Sequence, residues 1–229
     1  MIEDGDRIAV GVSGGKDSIT LLVALNNLQK FYPKKFEIEA ITLNLGIGSP
    51  DFSSVESLCR NLGIKYTIED TQIGKIVFEV LAEKNPCSLC ANMRRGALHN
   101  AAKELNCNKV ALGHNKDDVI ETFILSLFYE GRINTFSPVT YLSRKNIFVI
   151  RPLIYSDMED IKGFIKSLNI KAVPNLCNMN NTTKRDLVRS YLLDLQKDVP
   201  MAKDNIFGAI KKSGINAWTN ISDEKPEDP

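Results

Sequence analysis

Hydrophobic positions in the first half of the chain alternate between two periods. Arg7 to Val12 is a short run rich in β-formers that breaks at Gly14-Gly15, and from Ser18 to Lys30 Leu21, Leu22, Leu25 and Leu28 recur at helical spacing. The pattern predicts strand, glycine turn, helix. Phe36 to Leu45 reads as a second strand, about Asp51 to Leu62 as a helix, and Ile64 to Glu69 as a third strand. Lys109 to Gly113 predicts another buried strand. A helix follows whose first turn holds Asp117 and Asp118 and whose apolar stripe is Val119, Ile120, Phe123, Ile124, Leu127 and Phe128. Beyond Arg132, Val139 to Leu142 and Ile147 to Ile150 are short strand candidates. Ile161, Phe164, Ile165 and Leu168 then fit one helical face, and Val188, Tyr191, Leu192 and Leu195 another.

Strands separated by helices of this length imply right-handed crossovers and an α/β fold, a Rossmann-like parallel sheet with helices on both faces. Ligands on such sheets bind at the carboxyl ends of the strands. The expected organisation is an α/β domain over 1–153, a helical part over 154–215 and a flexible tail over 216–229, which is charged and proline-containing.

Composition narrows the class. The 229 residues carry 29 Lys+Arg against 28 Asp+Glu, a formal charge of +1, which excludes a strongly basic nucleic-acid arm as the main feature. Hydrophobic residues at 43% and charged residues at 25% are globular averages. The acidic start, Met1 to Asp6, is unlike a signal peptide, and no uncharged apolar run approaches the ~20 residues of a membrane helix. A soluble cytoplasmic protein without membrane contact is the expectation. Five cysteines, an odd number, argue for reduced thiols rather than a disulfide framework.

The sharpest local feature is Ser13-Gly14-Gly15-Lys16-Asp17-Ser18, between a strand and a helix. Two glycines let the backbone approach an anion, the helix start offers unpaired N–H groups with roughly half a unit of positive charge, and two hydroxyls add donors. The spacing is neither the Walker pattern nor the dinucleotide Gly-x-Gly-x-x-Gly. The bland alternative is an ordinary glycine turn before a capped helix. Gly113-His114-Asn115-Lys116-Asp117-Asp118 falls at the carboxyl end of a predicted strand. His114 there reads as a ligand-edge residue or as a core histidine. Asp117 and Asp118 read as helix-start acids or, facing a triphosphate, as holders of Mg2+.

Cys87-Ser88-Leu89-Cys90 admits half a zinc site, a redox dithiol or cluster ligation. The remaining partner candidate is Cys177, and three cysteines are an incomplete tetrahedron that suits an iron-sulfur cluster with one open iron. Cys59 and Cys107 read as buried packing residues. Arg94 and Arg95 are open between a phosphate role, an RNA contact and a solvated face. Lys184, Arg185, Arg189, Lys211 and Lys212 supply local positive charge for RNA phosphates or form an ordinary helix surface.

The hexapeptide resembles the PP-loop of the N-type ATP pyrophosphatases, whose adenine nucleotide alpha hydrolase-like fold releases pyrophosphate from ATP and adenylates a substrate. The Gly113 to Asp118 run resembles the second signature of that superfamily's tRNA-thiolating branch. With Cys87 to Cys90 followed by Arg94-Arg95-Gly96, Phe128-Tyr129-Glu130-Gly131 and Ile150-Arg151-Pro152-Leu153, the chain from about Met1 through Ile210 is similar to the tRNA 2-thiocytidine synthetase family. Members carry a second histidine where this chain has Asn115.

The resemblance implies an ATP-dependent enzyme that replaces a cytidine 2-oxygen of tRNA by sulfur. Cys87, Cys90 and Cys177 would ligate a 4Fe-4S cluster whose fourth iron takes up sulfide. Ser13, Gly14, Gly15, Lys16, Asp17, Ser18, Gly113, His114 and Asp118 would hold ATP and Mg2+, with Lys16, Asp17, Lys116 and Asp117 in catalytic roles. The implied partners are tRNA and a sulfur donor, sulfide or a persulfide carrier, and a homodimer is among the allowed assemblies. Two competing readings are a PP-loop sulfurtransferase or desulfurase for another tRNA position or a free base, and a non-catalytic nucleotide-binding module with structural zinc.

Overall fold

The first alternating run becomes β1 (Asp6–Gly11), and the leucine-rich segment after the glycines becomes α1 (Lys16–Leu28). In this computed structural model, which describes residues 1–81, 86–168, 170, 173 and 183–218, the chain forms two units. One comprises Met1–Asn115 and Val139–Asn180, the other Lys116–Pro138 and Asn181–Pro229.

The first unit continues through β2 (Phe36–Asn44), α2 (Ser53–Leu62), β3 (Lys65–Asp70) and a short α3 (Ile73–Lys75) that widens into a π turn (Ile76–Val80). Then come α4 (Pro86–Glu104) and β4 (Lys109–Ala111), and later β5 (Val139–Leu142), β6 (Ile147–Ile150) and α6 (Met158–Ser167). Among the described residues the sheet has six strands in the order β3-β2-β1-β4-β6-β5. All neighbours are parallel except β5, which runs antiparallel to β6.

Period-two alternation sorts the strand side chains between two apolar layers. Ile8 and Val10 of β1 and Ala111 of β4 face Leu21, Leu22 and Leu25 of α1, Val55 and Cys59 of α2, and Ile161 of α6. Ala9 and Val110 point the other way, to Leu98, Ala101 and Ala102 of α4. Helices thus cover both faces, and the small Ala9, Ala101 and Ala102 let α4 lie close to the sheet. A buried ion pair ties the amino end of this layer: Lys109 Nζ lies 2.6 Å from Asp6 Oδ2. Burial works to raise the Asp6 pKa, but hydrogen bonds from the Glu3 N–H, Lys109 and Asn108 outweigh it and hold the carboxyl below its ordinary value.

The second unit contains α5 (Lys116–Leu125), a π turn (Ser126–Glu130), α7 (Lys184–Asp198), α8 (Ala202–Lys212) and a 3-10 turn (Ile215–Ala217). Beside its buried Val119, Ile120, Val188, Phe207 and Ile210 run charged ties. Glu121 of α5, buried, accepts from Arg189 Nε at 2.7 Å, and Arg185 Nη1 lies 3.1 Å from Asp118 Oδ1. Thr183 and Asp186 form a capping box at the start of α7. Trp218 Nε1 donates to the Phe136 carbonyl at 3.0 Å and meets Phe207 edge-on.

Two expected apolar faces need correction. Leu127 and Phe128 are exposed, because the helix widens to i→i+5 spacing at Ser126 and carries them off the stripe that Val119 and Ile120 begin. On α7 only Val188 and Leu192 are buried, and Tyr191 and Leu195 lie at the surface. Among the described residues no helix is long and apolar enough to cross a membrane. Of the flexible tail expected over 216–229, Asn216 to Trp218 are described and Trp218 is buried against Phe207; residues from 219 onward lie outside the described residues.

Candidate active site

The glycine loop sits where β1 runs out at the carboxyl edge of the sheet. The Val12 N–H still bonds the Ile41 carbonyl at 2.8 Å, and Gly14 then turns with φ +77°, a left-handed conformation that favours glycine. Gly15 caps α1 with extended backbone and no side-chain cap, so the first N–H groups of the helix are left to a ligand or water. The two serines shape the loop. Ser18 Oγ donates to the Gly15 carbonyl at 2.9 Å and accepts from the Ser13 N–H at 3.2 Å, with the two hydroxyls 3.3 Å apart.

Lys16 Nζ lies 2.7 Å from Asp17 Oδ2, and the Asp17 Oδ1 accepts from Asn115 Nδ2 at 3.0 Å. Asn115 is fully buried. It belongs to the turn after β4, whose Gly113 is pressed against the start of α1: a Cβ there would meet the Asp17 carbonyl carbon and oxygen at 2.9 Å. The structure therefore brings Ser13 to Ser18 together with Gly113, and joins Asn115 to the loop.

Lys116, Asp117 and Asp118 open α5 in the second unit. There Lys116 pairs with Asp204, Lys203 Nζ lies 2.7 Å from Asp117 Oδ1, and Arg185 takes Asp118. Arg185 and Arg189, two of the cations that the sequence leaves open between RNA phosphates and an ordinary helix surface, pair with Asp118 and Glu121 of α5. Lys184 stands over the Tyr129 ring at 4.3 Å.

Three braces escape any local sequence pattern. Thr42 Oγ1 donates to the Val12 carbonyl at 2.6 Å and accepts from the Tyr66 hydroxyl at 2.9 Å. Val173 donates its N–H to the Gly14 carbonyl at 3.0 Å, and a Cβ on Gly14 would strike its side chain at 2.5 Å. The contact partners are distant in sequence, which is why spacing alone gives no signal.

The cysteines separate into two kinds. Cys59 and Cys107 are buried, and burial pushes both thiols up to about 11. Cys87 is exposed and Cys90 half-buried, three positions apart at the start of α4. That places both sulfurs on one helix face, in the first turn of α4. This donor pair fits thiolate ligation of a cluster or metal. The third sulfur, Cys177, lies outside the described residues. A concavity of about 480 Å³ along α2 and β3 is lined by Cys59, Tyr66 and neighbours and holds none of the motif residues.

Comparison with known proteins gives consistent results. Residues 3–196 match the family model described as PP-loop domain. A tRNA-cytidine(32) 2-sulfurtransferase of Dichelobacter nodosus is 41% identical over 215 residues, covering 93% of this chain and 80% of that protein. One from Ralstonia pickettii is 38% identical, covering 92% and 68%. Among solved structures, the U34-tRNA thiolase NcsA from Methanococcus maripaludis, with its 4Fe-4S cluster, superposes with a TM-score of 0.77 at 25% identity. The match covers 98% of this chain and 75% of that one. NH3-dependent NAD synthetase from Campylobacter jejuni, at 17% identity, TM-score 0.50 and coverage of 100% and 90%, shares the fold.

Proposed function

The chain belongs to the PP-loop domain family and, within it, to the tRNA-cytidine(32) 2-sulfurtransferases; on that premise we propose that it is an ATP-dependent, cluster-dependent enzyme that thiolates a cytidine of tRNA. The observation that carries the ATP step is the glycine loop, with its α1 amides uncapped and Gly113 pressed behind it.

The oxygen at C2 of cytidine is a poor leaving group. In the proposed reaction it attacks the α-phosphorus of ATP, pyrophosphate departs, and the oxygen becomes part of an adenylate. Sulfide then adds at C2 and AMP leaves, carrying the former C2 oxygen, with no net redox change. The α1 amides and Lys16 neutralise charge that grows on the phosphates, and Asp17, fixed by Asn115, orients Lys16. Cys87, Cys90 and Cys177 would hold a 4Fe-4S cluster, which supplies an iron with an open position for sulfide. Mg2+ would arrive with the triphosphate. One oxygen of Asp117 already pairs with Lys203 and one of Asp118 with Arg185, and each carboxylate has a second oxygen with which to meet a metal.

The test supplies anaerobically reconstituted enzyme, ATP and sulfide to thiolation-deficient tRNA or to free pyrimidines. Thiocytidine in tRNA with equimolar AMP and pyrophosphate is expected. ADP and phosphate as products would overturn the adenylation step, and thiolation of the free base with none on tRNA would overturn the substrate.

A further inference from the structure

From Pro86 to Lys103, and again from Val139 to Ser156, the chain holds no Asp or Glu, although 28 acids occur in its 229 residues. The first stretch is α4 almost to its end, and the second is β5, β6 and what immediately follows them. Folding lays the two side by side. Leu98 and Ala101 of α4 share one apolar layer with Ile147 of β6 and Leu142 of β5, and Lys145 Nζ, in the turn between β5 and β6, donates to the Asn100 side-chain oxygen of α4. Two acid-free segments, distant in sequence, thus make one surface of the first unit.

The exposed cations that share it are Arg95 and Lys103 on α4 and Arg144 and Lys145 in the turn. At 3.6 residues per turn, Arg95 and Lys103 fall within a quarter turn of each other, about 12 Å apart along the helix axis, while Arg94 belongs to another face. The turn is pinned: the Lys145 N–H bonds the Leu142 carbonyl at 3.0 Å, and the Tyr141 hydroxyl donates to Asn146 Oδ1 at 2.9 Å. Elsewhere in the same unit cations stand against carboxylates, Arg7 with Glu39, Lys34 with Glu3, Arg60 with Glu56 and Lys109 with Asp6. Here the partners are amides, Asn92 for Arg95 and Asn100 for Lys145, and among the described residues none of the four cations forms an ion pair. Charge is therefore divided along the sheet. Glu37, Glu39, Glu69 and Asp70 lie on β2 and β3 at one end, and the four cations gather beside β6 and β5 at the other. A net charge of +1 hides that division.

We propose that the surface formed by α4 and the turn between β5 and β6 is an RNA-binding face, with Arg95, Lys103, Arg144 and Lys145 meeting backbone phosphates. It deepens the tRNA-thiolating reading given above and rests on that reading for the identity of the polyanion. Like charges held together without acids repel one another, and a phosphodiester chain neutralises them while releasing its own counterions. The face also supplies what Arg185 and Arg189 of α7 do not, since those two are engaged with carboxylates. Because α4 opens with Cys87 and Cys90, RNA lying along this helix extends from the element that carries two of the proposed cluster thiols.

The test measures, across a salt series, how the full-length protein binds thiolation-deficient tRNA and, separately, an unstructured oligoribonucleotide. The variants are Arg95→Gln, Lys103→Gln and the double change Arg144→Gln with Lys145→Gln. Lys162→Gln and Lys197→Gln, at exposed lysines of α6 and α7, are the controls. All these side chains lie at the surface, so the fold should survive, and circular dichroism checks it. Each single variant should weaken binding of both RNAs several-fold and lower the slope of log K against log salt by about one, and the double change by about two. The controls, and the affinity of every variant for a non-hydrolysable ATP analogue, should match wild type. Face variants that keep the wild-type slope overturn the proposal. Unchanged RNA binding combined with slower sulfur transfer from an acidic persulfide carrier also overturns it, and gives the face to a protein instead. Failure of the wild-type protein to bind tRNA speaks against the proposed substrate, and the oligoribonucleotide still decides the face.

Discussion

Asn115 Nδ2 donates to Asp17 Oδ1 across 3.0 Å, so a buried amide in the turn after β4 holds the carboxylate of the glycine loop. Lys16 reaches the same carboxylate at 2.7 and 2.8 Å. Asn115→Leu leaves the carboxylate short of one donor and the loop less fixed. Pyrophosphate release should fall about tenfold or more, the lower end of the scale for loss of a positioned group. Asn115→His, which keeps a ring N–H, should recover part of it. Equal rates for Asn115→Leu and wild type would sink the idea.

Lys16→Ala and Asp17→Ala should each lower ATP turnover by on the order of a hundredfold, since they remove preorganised charge from the phosphate site. Circular dichroism should remain native, because both side chains are partly exposed. AMP formation is the readout.

Gly113→Ala puts a methyl group 2.9 Å from the Asp17 backbone. Overpacking of this kind costs about 1–3 kcal/mol, and denaturant titration should show it. Nucleotide affinity should fall as well, since the displaced atoms belong to the first turn of α1.

Thiol chemistry should divide the cysteines by burial. In metal-free protein at pH 8, Cys87 should react with a disulfide reagent quickly, and Cys59 and Cys107, pushed up to about 11, should react only on unfolding. After anaerobic reconstitution, Cys59→Ala and Cys107→Ala should retain about four irons per chain. Cys87→Ala, Cys90→Ala and Cys177→Ala should lose most of the iron. Full iron in Cys177→Ala would remove that residue from the ligand set.

Acid stability should report on Asp6. Its folded pKa lies below its unfolded value, so its stabilisation is complete above the unfolded pKa of about 3.9 and is lost as pH falls through the folded value. Asp6→Asn should flatten the acid limb of the stability curve. At neutral pH it should cost about 3 kcal/mol, because Lys109 is left buried without its counter-charge.

The strand, loop and helix around residues 6–28 were legible because alternation and leucine spacing are local, and Ser13 to Ser18 spell the glycine turn in six consecutive letters. The expected helices on both faces follow from the same alternation, with Ile8 and Val10 on one side of Ala9. The extent of the α5 stripe was not legible: a period of 3.6 carried forward through Leu127 and Phe128 misses the π turn. Glu121 reads as an ordinary polar helix residue, yet it is buried, because its partners Arg185 and Arg189 come from α7, more than sixty positions later. Asn115, read as a departure from the family pattern, turned out to be the donor that joins two motifs.

The clasp between Val173 and Gly14 also bears on biosynthesis. Strands β1 through β6 leave the ribosome before Val173 does, so a nascent chain can assemble its sheet while the loop after β1 still lacks the cover that Val173 lays over Gly14. The brace on Gly14 then forms late in translation, after the sheet rather than with it. A stalled chain that ends just before Val173 should pass an ATP-analogue resin unretained, whereas one released at full length should be held.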